Sequence, residues 1–485
     1  MVDADDTEAV LRAALDVSLR WLEGLGDAAV AQPSAVDPAL TSLPEVGVGA
    51  AAAFQELATR ARERAMASTG PRYFHYVVGG VTPAALGADW LASALDQVAS
   101  SAQGSPLAID LEELATRWLV ELFDLGEAGQ WTGQFTTGAT LANFVGLGAA
   151  RQWWGAALGV DVAEEGLVGL PRPVVLTGGY VHASVVKALA MLGLGRRSVE
   201  RFTADNRGTL DLTAVRARLE SMTDGEGPAI VVATAGEVNA GRFDPIDELA
   251  DLCEEHGAWL HVDGAFGLFA RVSTGVATRA LCSGAERANS IAADAHKWLN
   301  VPYDCGFAFV RDRSLLAKSF RMVADYLPKA PAGANGSVKR RVPANLGPES
   351  SRRARAIPVF ATLLASGRQG VAAMVDEHLR LARLLAQKVT EHDELELIDE
   401  PQLNIVPFRL APDGVRKRDL DALNESAAAA VLAEGRVYVG TTRYRSRVVF
   451  RPAIANWRTG EADVEELVAA ILRAGLRCCA EFSSL

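Results

Sequence analysis

Lysine is nearly missing from this chain of 485 residues: of its 48 basic residues seven are lysines (Lys187, Lys297, Lys318, Lys329, Lys339, Lys388 and Lys417) and the rest are arginines. Basic charge of either kind is outnumbered by 60 acidic residues, giving a net charge of −12. That balance offers no general field for phosphate backbones or anionic membranes and argues against nucleic-acid partners. Cysteine is sparse as well. Cys253, Cys282, Cys305, Cys478 and Cys479 form an odd set without paired metal-type spacing, so they read as reduced thiols of a cytoplasmic protein without a metal site; metal at the vicinal Cys478 and Cys479 is the weaker alternative. Long apolar runs are lacking too, since stretches such as 46–54 and 427–433 fall well short of the ~20 residues that cross a bilayer. The acidic start MVDADDTEAV has none of the basic-then-apolar layout of a secretory signal.

What remains is a folded globular composition, with 49% hydrophobic and 22% charged residues. The length is about three times a ~150-residue domain, which predicts a subunit of two domains. Residues 7–25 carry helical apolar spacing (Val10, Leu11, Ala14, Leu15, Leu19, Leu22), and the Pro-containing segment 32–44 reads as a linker, so residues 1–75 form a helical arm. From residue 76 to 365, helical patterns alternate with short apolar runs at 173–177, 229–234, 259–262 and 307–310. This alternation predicts an α/β domain with a mostly parallel sheet covered on both faces. The Pro-, Gly- and Ala-rich segment 328–348 reads as a long mobile loop. A helix at 352–364 closes the large domain, and residues 366–485 predict a smaller α+β domain: a helix at 371–389, strands near 404–409, 437–439 and 447–450, and a last helix at 463–476.

Several chemistries lack their motifs. Gly146-Leu-Gly148 has no third glycine and sits inside a helical pattern, which removes a dinucleotide fingerprint. His256 and His261 are five apart, not the four that would place both on one helical face for zinc. No Walker sequence occurs, and Ser184 has no nucleophile-elbow glycines around it.

The informative segment is Asp294-Ala-His296-Lys297-Trp298, a lysine between a histidine and an apolar run. An amine in a partly apolar, charge-influenced site becomes a nucleophile toward a carbonyl; taken alone, the same lysine reads as one snorkelling from a helix end. Upstream, the apolar strand around His261 ends in Asp263, at the strand end where α/β folds bind ligands. A carboxylate there suits a protonated heteroaromatic nitrogen, as pyridoxal phosphate requires, and equally suits a helix cap. Thr136-Thr-Gly-Ala139-Thr140 runs straight into a helix and suits a phosphate. His182, after the strand at 173–177, has a flat ring able to stack on a cofactor ring or to end a helix.

In this order, across 136–297, the segments resemble the group II pyridoxal phosphate-dependent amino-acid decarboxylases, the aromatic-amino-acid and glutamate decarboxylase family of fold type I. The resemblance extends through Thr82-Pro-Ala-Ala, Ala88-Asp-Trp-Leu, Val231-Val-Ala-Thr-Ala-Gly236, Ser351-Arg-Arg-Ala-Arg355 and Phe450-Arg451, covering about 70–475. It implies a Schiff base on Lys297, Asp263 paired with the pyridine nitrogen, Ala265 beneath the ring and His182 stacked above it. Ala139, Thr140 and His296 are implied at the phosphate, with Asp294 and Ser290 nearby. Arg451 is implied as the anchor of the substrate α-carboxylate, or else pairs with a structural carboxylate.

The implied reaction is loss of carbon dioxide from an L-amino acid to give an amine. Candidate pocket residues Tyr73, Phe74, His75, Val78 and Phe266 lean toward an aromatic or hydrophobic substrate. The implied assembly is a cytoplasmic homodimer with its site at the subunit interface.

Two departures qualify the activity. Many members of this family carry a protonating loop tyrosine; a gapless count back from Arg352 places that position near Pro343, no tyrosine occurs between Tyr326 and Tyr438, and Tyr326 stays open as the residue that meets it. Its loss in such enzymes accompanies aldehyde-forming oxidative decarboxylation, so that chemistry, transamination and a catalytically idle cofactor-binding protein stay open. The second departure is Glu237, which stands where a threonine is usual; it could tune the cofactor, meet a basic substrate group or point away.

Overall fold

A computed structural model describes residues 6–30, 42–322 and 342–482. Seven strands form the main sheet: β1 (Thr132–Thr136), β2 (Val175–Thr177), β3 (Val199–Arg201), β4 (Ile230–Thr234), β5 (Trp259–Asp263), β6 (Ser290–Asp294) and β7 (Gly306–Val310). Their order is β1-β7-β6-β5-β4-β2-β3. Pairings among β3, β2, β4, β5 and β6 are parallel, whereas β7 runs antiparallel to both β6 and β1.

Alternation along the central strands feeds two cores. Val231 and Ala233 of β4 join Leu260 and Val262 of β5 on one face, while Ile230, Val232 and Trp259 face the other. Such strands are apolar on both sides because helices cover both faces. One of these helices, Ala139–Ala157, lies against β6 and β7 and buries twelve of its residues.

A second sheet is antiparallel throughout, with β8 (Leu395–Leu397), β9 (Phe408–Leu410), β10 (Thr441–Tyr444) and β11 (Arg447–Phe450) in the order β10-β11-β9-β8. It packs with the helices Leu420–Glu434 and Glu461–Phe482 around a core of its own. The strand expected at 437–439 is not formed. Tyr438 instead makes a single parallel bridge to Tyr73, which ties the end of the arm to this unit.

The helical segments expected at 352–364 and 371–389 are one element, Ala356–Thr390, bent at Gly367 (φ 58°, ψ −179°). Its residues up to Leu379 feed the core beneath the main sheet, and those from Leu381 onward feed the second core. The arm contributes helices Thr7–Glu23 and Ala50–Arg64. Most of the linker expected at 32–44, and residues 323–341 of the loop region with Tyr326, lie outside the described residues. Among the described residues no helix is long and apolar enough to cross a membrane.

Candidate active site

Parallel strands deliver their last residues to one edge of the sheet. Asp263 ends β5 and pairs in register with Thr234, which ends β4; Asp294 ends β6. Ligands of open α/β sheets bind outside such carboxyl ends. The short helix Ala295–Trp298 follows β6 directly and carries Lys297, whose Nζ lies 2.8 Å from Asp294 Oδ2.

Lys297 and Asp263 share one cavity of about 220 Å³ with Ala265, His182, Tyr76, Tyr180, Glu237 and Phe266. The Asp263 carboxylate is buried and accepts from the Ala265 amide at 3.2 Å and from Asn143 Nδ2 at 3.2 Å. His182 caps helix Ala183–Met191, and its Nδ1 accepts from the Ser184 amide. Loss of solvation on burial lowers the imidazole pKa; the Asp263 charge opposes that shift and Lys297 adds to it.

On the other side of Lys297, Gly138 precedes helix Ala139–Ala157 with φ 153°. A Cβ at Gly138 would sit 3.0 Å from the His296 ring, so only glycine lets the backbone pass this close. The amides of Leu141 and Ala142 return to the Gly138 carbonyl. Helix geometry leaves those of Ala139 and Thr140 without intrahelical partners, as an anion cradle needs. His296 is fixed by the Cys305 amide, which donates to Nδ1 at 3.1 Å, and by Tyr303 stacked at 4.2 Å; burial lowers its pKa. Asp294 Oδ1 is buried without a hydrogen-bond partner among the described residues. An amine, a buried carboxylate and an open imidazole on one cavity, with a glycine-led helix start beside Asp294 and His296, fit pyridoxal phosphate. Lys297, Asp263 and His182 would hold its ring, and Ala139, Thr140 and His296 its phosphate.

Arg451 follows β11 and is buried, with Nη1 donating to the Tyr76 carbonyl at 3.0 Å. Tyr76 presents that carbonyl from a left-handed backbone, φ 56°. Nε and Nη2 of Arg451 have no partner among the described residues. Burial brings its pKa down to about 10, and the field of Glu237 opposes this shift. Glu237 is buried too, and burial raises its pKa. Its carboxylate accepts from the amide of Asn239 at 2.7 Å and from that of Ala240, closing a tight turn at the cavity wall.

Other expected residues fall elsewhere. Ser290 opens β6, at the end opposite the cavity, and its hydroxyl meets Trp259 and His261 instead of a phosphate site. Phe74 belongs to the core of the second sheet. His75 lies between the rings of Tyr76 and Tyr438 at 3.9 and 4.5 Å, with its pKa lowered to about 4 by burial and by Arg451. Neither it nor Tyr73 nor Val78 lines the cavity.

Sequence reasoning missed Tyr76, Tyr180 and Asn143. The last of these had a visible signal, a lone amide in the apolar run Leu141-Ala-Asn143-Phe-Val145, one helical turn after Ala139.

The pyridoxal-dependent decarboxylase conserved domain matches residues 54–411. The L-2,4-diaminobutyrate decarboxylase of Rhizobium meliloti (strain 1021) is 33% identical over 440 residues, covering 89% of this chain and 83% of that protein. The aromatic-L-amino-acid decarboxylase of Bacillus atrophaeus is 28% identical over 400 residues, with 82% and 80% covered. In fold, the Oryza sativa TDC structure with PLP and tryptamine superposes with a TM-score of 0.89 at 23% identity, covering 98% of this chain and 99% of that one. With the domain matched across most of its length, the chain belongs to the pyridoxal-dependent decarboxylases, carboxy-lyases of amino acids that use pyridoxal 5'-phosphate as cofactor.

Proposed function

We propose that this enzyme removes the α-carboxyl group of an L-amino acid with an aromatic or hydrophobic side chain, releasing carbon dioxide and the amine. The observation that carries the reading is that Lys297 lines one cavity together with Asp263 and Ala265. Bound pyridoxal phosphate supplies the sink for the electron pair left at the substrate Cα. Asp263 would hold a proton at its pyridine nitrogen, Lys297 would be the amine available to its carbonyl group, and His182 would lie against its ring. The free N–H groups of Arg451 bind the substrate carboxylate, so that burial of the guanidinium is repaid by a charge-assisted pair. One proton enters at Cα for each carbon dioxide that leaves, and Tyr326 is the candidate to deliver it.

Phe266, Tyr76, Tyr180, Val77 and Val238 on the cavity wall support an apolar side chain. A second reading, a substrate with a terminal amine, is favoured by Glu237 on the same wall and by the similarity to the Rhizobium meliloti enzyme. The protein acts as a homodimer in the cytoplasm, with the arm contributing across the interface.

An amino-acid panel assayed for carbon dioxide, amine, aldehyde and peroxide tests all of this. Equal amine and carbon dioxide from aromatic substrates is the expected result. Preference for a diamino acid selects the second reading, and aldehyde with peroxide moves the chemistry to oxidative decarboxylation. Absence of carbon dioxide from every substrate overturns the proposal. Borohydride reduction and peptide mapping are expected to place the cofactor on Lys297.

A further inference from the structure

Behind the cavity, a continuous run of hydrogen bonds leads from residues that do not line it to Asp263 and His182, which do. Trp259 Nε1 donates to Ser290 Oγ at 3.0 Å, and Ser290 Oγ lies 2.8 Å from His261 Nδ1. His261 Nε2 is 2.8 Å from Asn143 Oδ1. The Asn143 amide then donates twice, to Asp263 Oδ2 at 3.2 Å and to Ser184 Oγ at 3.1 Å. Ser184 Oγ in turn lies 2.7 Å from His182 Nδ1. Trp259, Ser290, His261 and Asn143 are all buried, with His261, Ser290 and Asn143 fully so.

The carboxylate end fixes the direction of the bonds along the run, because a carboxylate only accepts. The NH2 of Asn143 faces Asp263, so its oxygen faces His261 and Nε2 of His261 carries the proton. Full burial, which lowers its pKa to about 3, keeps His261 neutral, so its Nδ1 is bare and accepts the hydroxyl hydrogen of Ser290, whose oxygen accepts the Trp259 proton. Ser184, accepting from Asn143, gives its hydroxyl hydrogen to His182 Nδ1. That nitrogen also accepts the Ser184 amide, so the proton of a neutral His182 sits on Nε2.

We propose that Asn143 is a positioning residue, held in one amide orientation by Trp259, Ser290 and His261, which simultaneously aims the Asp263 carboxylate and sets the tautomer of His182. The proposal rests on the cofactor reading for its consequence: a fixed carboxylate keeps its partner nitrogen protonated, and a neutral imidazole on the ring face does not compete for that positive charge. Its structural part stands in the protein without cofactor.

Long-range proton–nitrogen spectra of the full chain labelled with 15N-histidine test that part directly. Seven histidines allow assignment by single His→Gln substitutions. The expected pattern is protonated Nε2 and bare Nδ1 for His261, unchanged from about pH 6 to about pH 8, and the same tautomer for neutral His182. A proton on Nδ1 of His261 in the wild-type protein overturns the proposal without any variant. In folded Asn143→Ala protein, where the Ser184 amide alone still holds Nδ1 of His182, the Nδ1-protonated tautomer is expected to rise above its wild-type share, and pyridoxal phosphate to bind about ten- to hundredfold more weakly. An unchanged His182 tautomer in that variant overturns it too. Wild-type protein that shows the tautomer pattern but binds no pyridoxal phosphate sinks the cofactor reading instead, so the two failures are distinguishable.

Discussion

Arg451 is a buried guanidinium with two nitrogens unpartnered among the described residues, beside one bond to the Tyr76 carbonyl. Arg451→Lys keeps the charge and loses the fork, which costs about 1.5–3 kcal/mol for a hydrogen bond to a charged group. The expected outcome is a raised KM for the amino acid with cofactor affinity unchanged, read by steady-state kinetics beside cofactor titration. Lys297→Ala is expected to abolish turnover while the fold persists, because Lys297 is not among the buried residues of its short helix, which the buried strand β6 carries. Tyr326→Phe separates products: if Tyr326 supplies the Cα proton, amine gives way to aldehyde, and unchanged amine formation removes it from that role. Lys297, Asp263 and His182 were legible in the sequence because each type has few chemical equivalents at its place. Ser290 and Phe74 were misplaced because sequence adjacency to a motif says nothing about which end of a strand, or which core, a side chain reaches.

At the scale of elements, helix Ala356–Thr390 joins the two cores and also reaches the site. His378 on it accepts from Trp298 Nε1 at 2.8 Å and donates to the Asn456 carbonyl at 3.0 Å, linking the neighbour of Lys297 to the second unit. Burial lowers the pKa of His378 to about 4 and that of His261 to about 3. An unfolded chain protonates both near 6.5, so stability is full above that pH and is lost as pH falls toward 4. The loss is about 1.4 kcal/mol per pH unit for each group. Denaturant midpoints are expected to drop between about pH 7 and about pH 5, and His378→Gln to flatten that slope. Gly367 holds the bend with a backbone that other residues avoid, in open space. Gly367→Ala is expected to cost about 1–3 kcal/mol of stability with kcat unchanged. Helix periodicity revealed both halves of this element. It could not show that they are one, since a glycine between two apolar patterns reads equally as a bend or as a break.

For the whole molecule, helix Thr7–Glu23 has no buried residue, and Leu11, Leu15 and Leu19 are 58%, 44% and 47% exposed. Apolar side chains aligned on one helix suit cover by a second subunit. Leu15→Glu with Leu19→Glu is expected to shift sedimentation from dimer to monomer; a dimer that survives both would remove the arm from the interface. What the sequence determined by itself was the chemistry and the class of fold: a lone useful lysine after a histidine, a carboxylate ending an apolar strand, and alternating patterns whose periods dictate strands and helices. Only the tertiary structure decided which residues meet. The joining of Asn143 to Asp263 across 120 positions, the bare nitrogens of Arg451 and the placement of Tyr76 and Tyr180 arise from strand order and packing. Local periodicity carries no record of these, because contacts between distant segments are set by how whole elements stack and not by the spacing within any one of them.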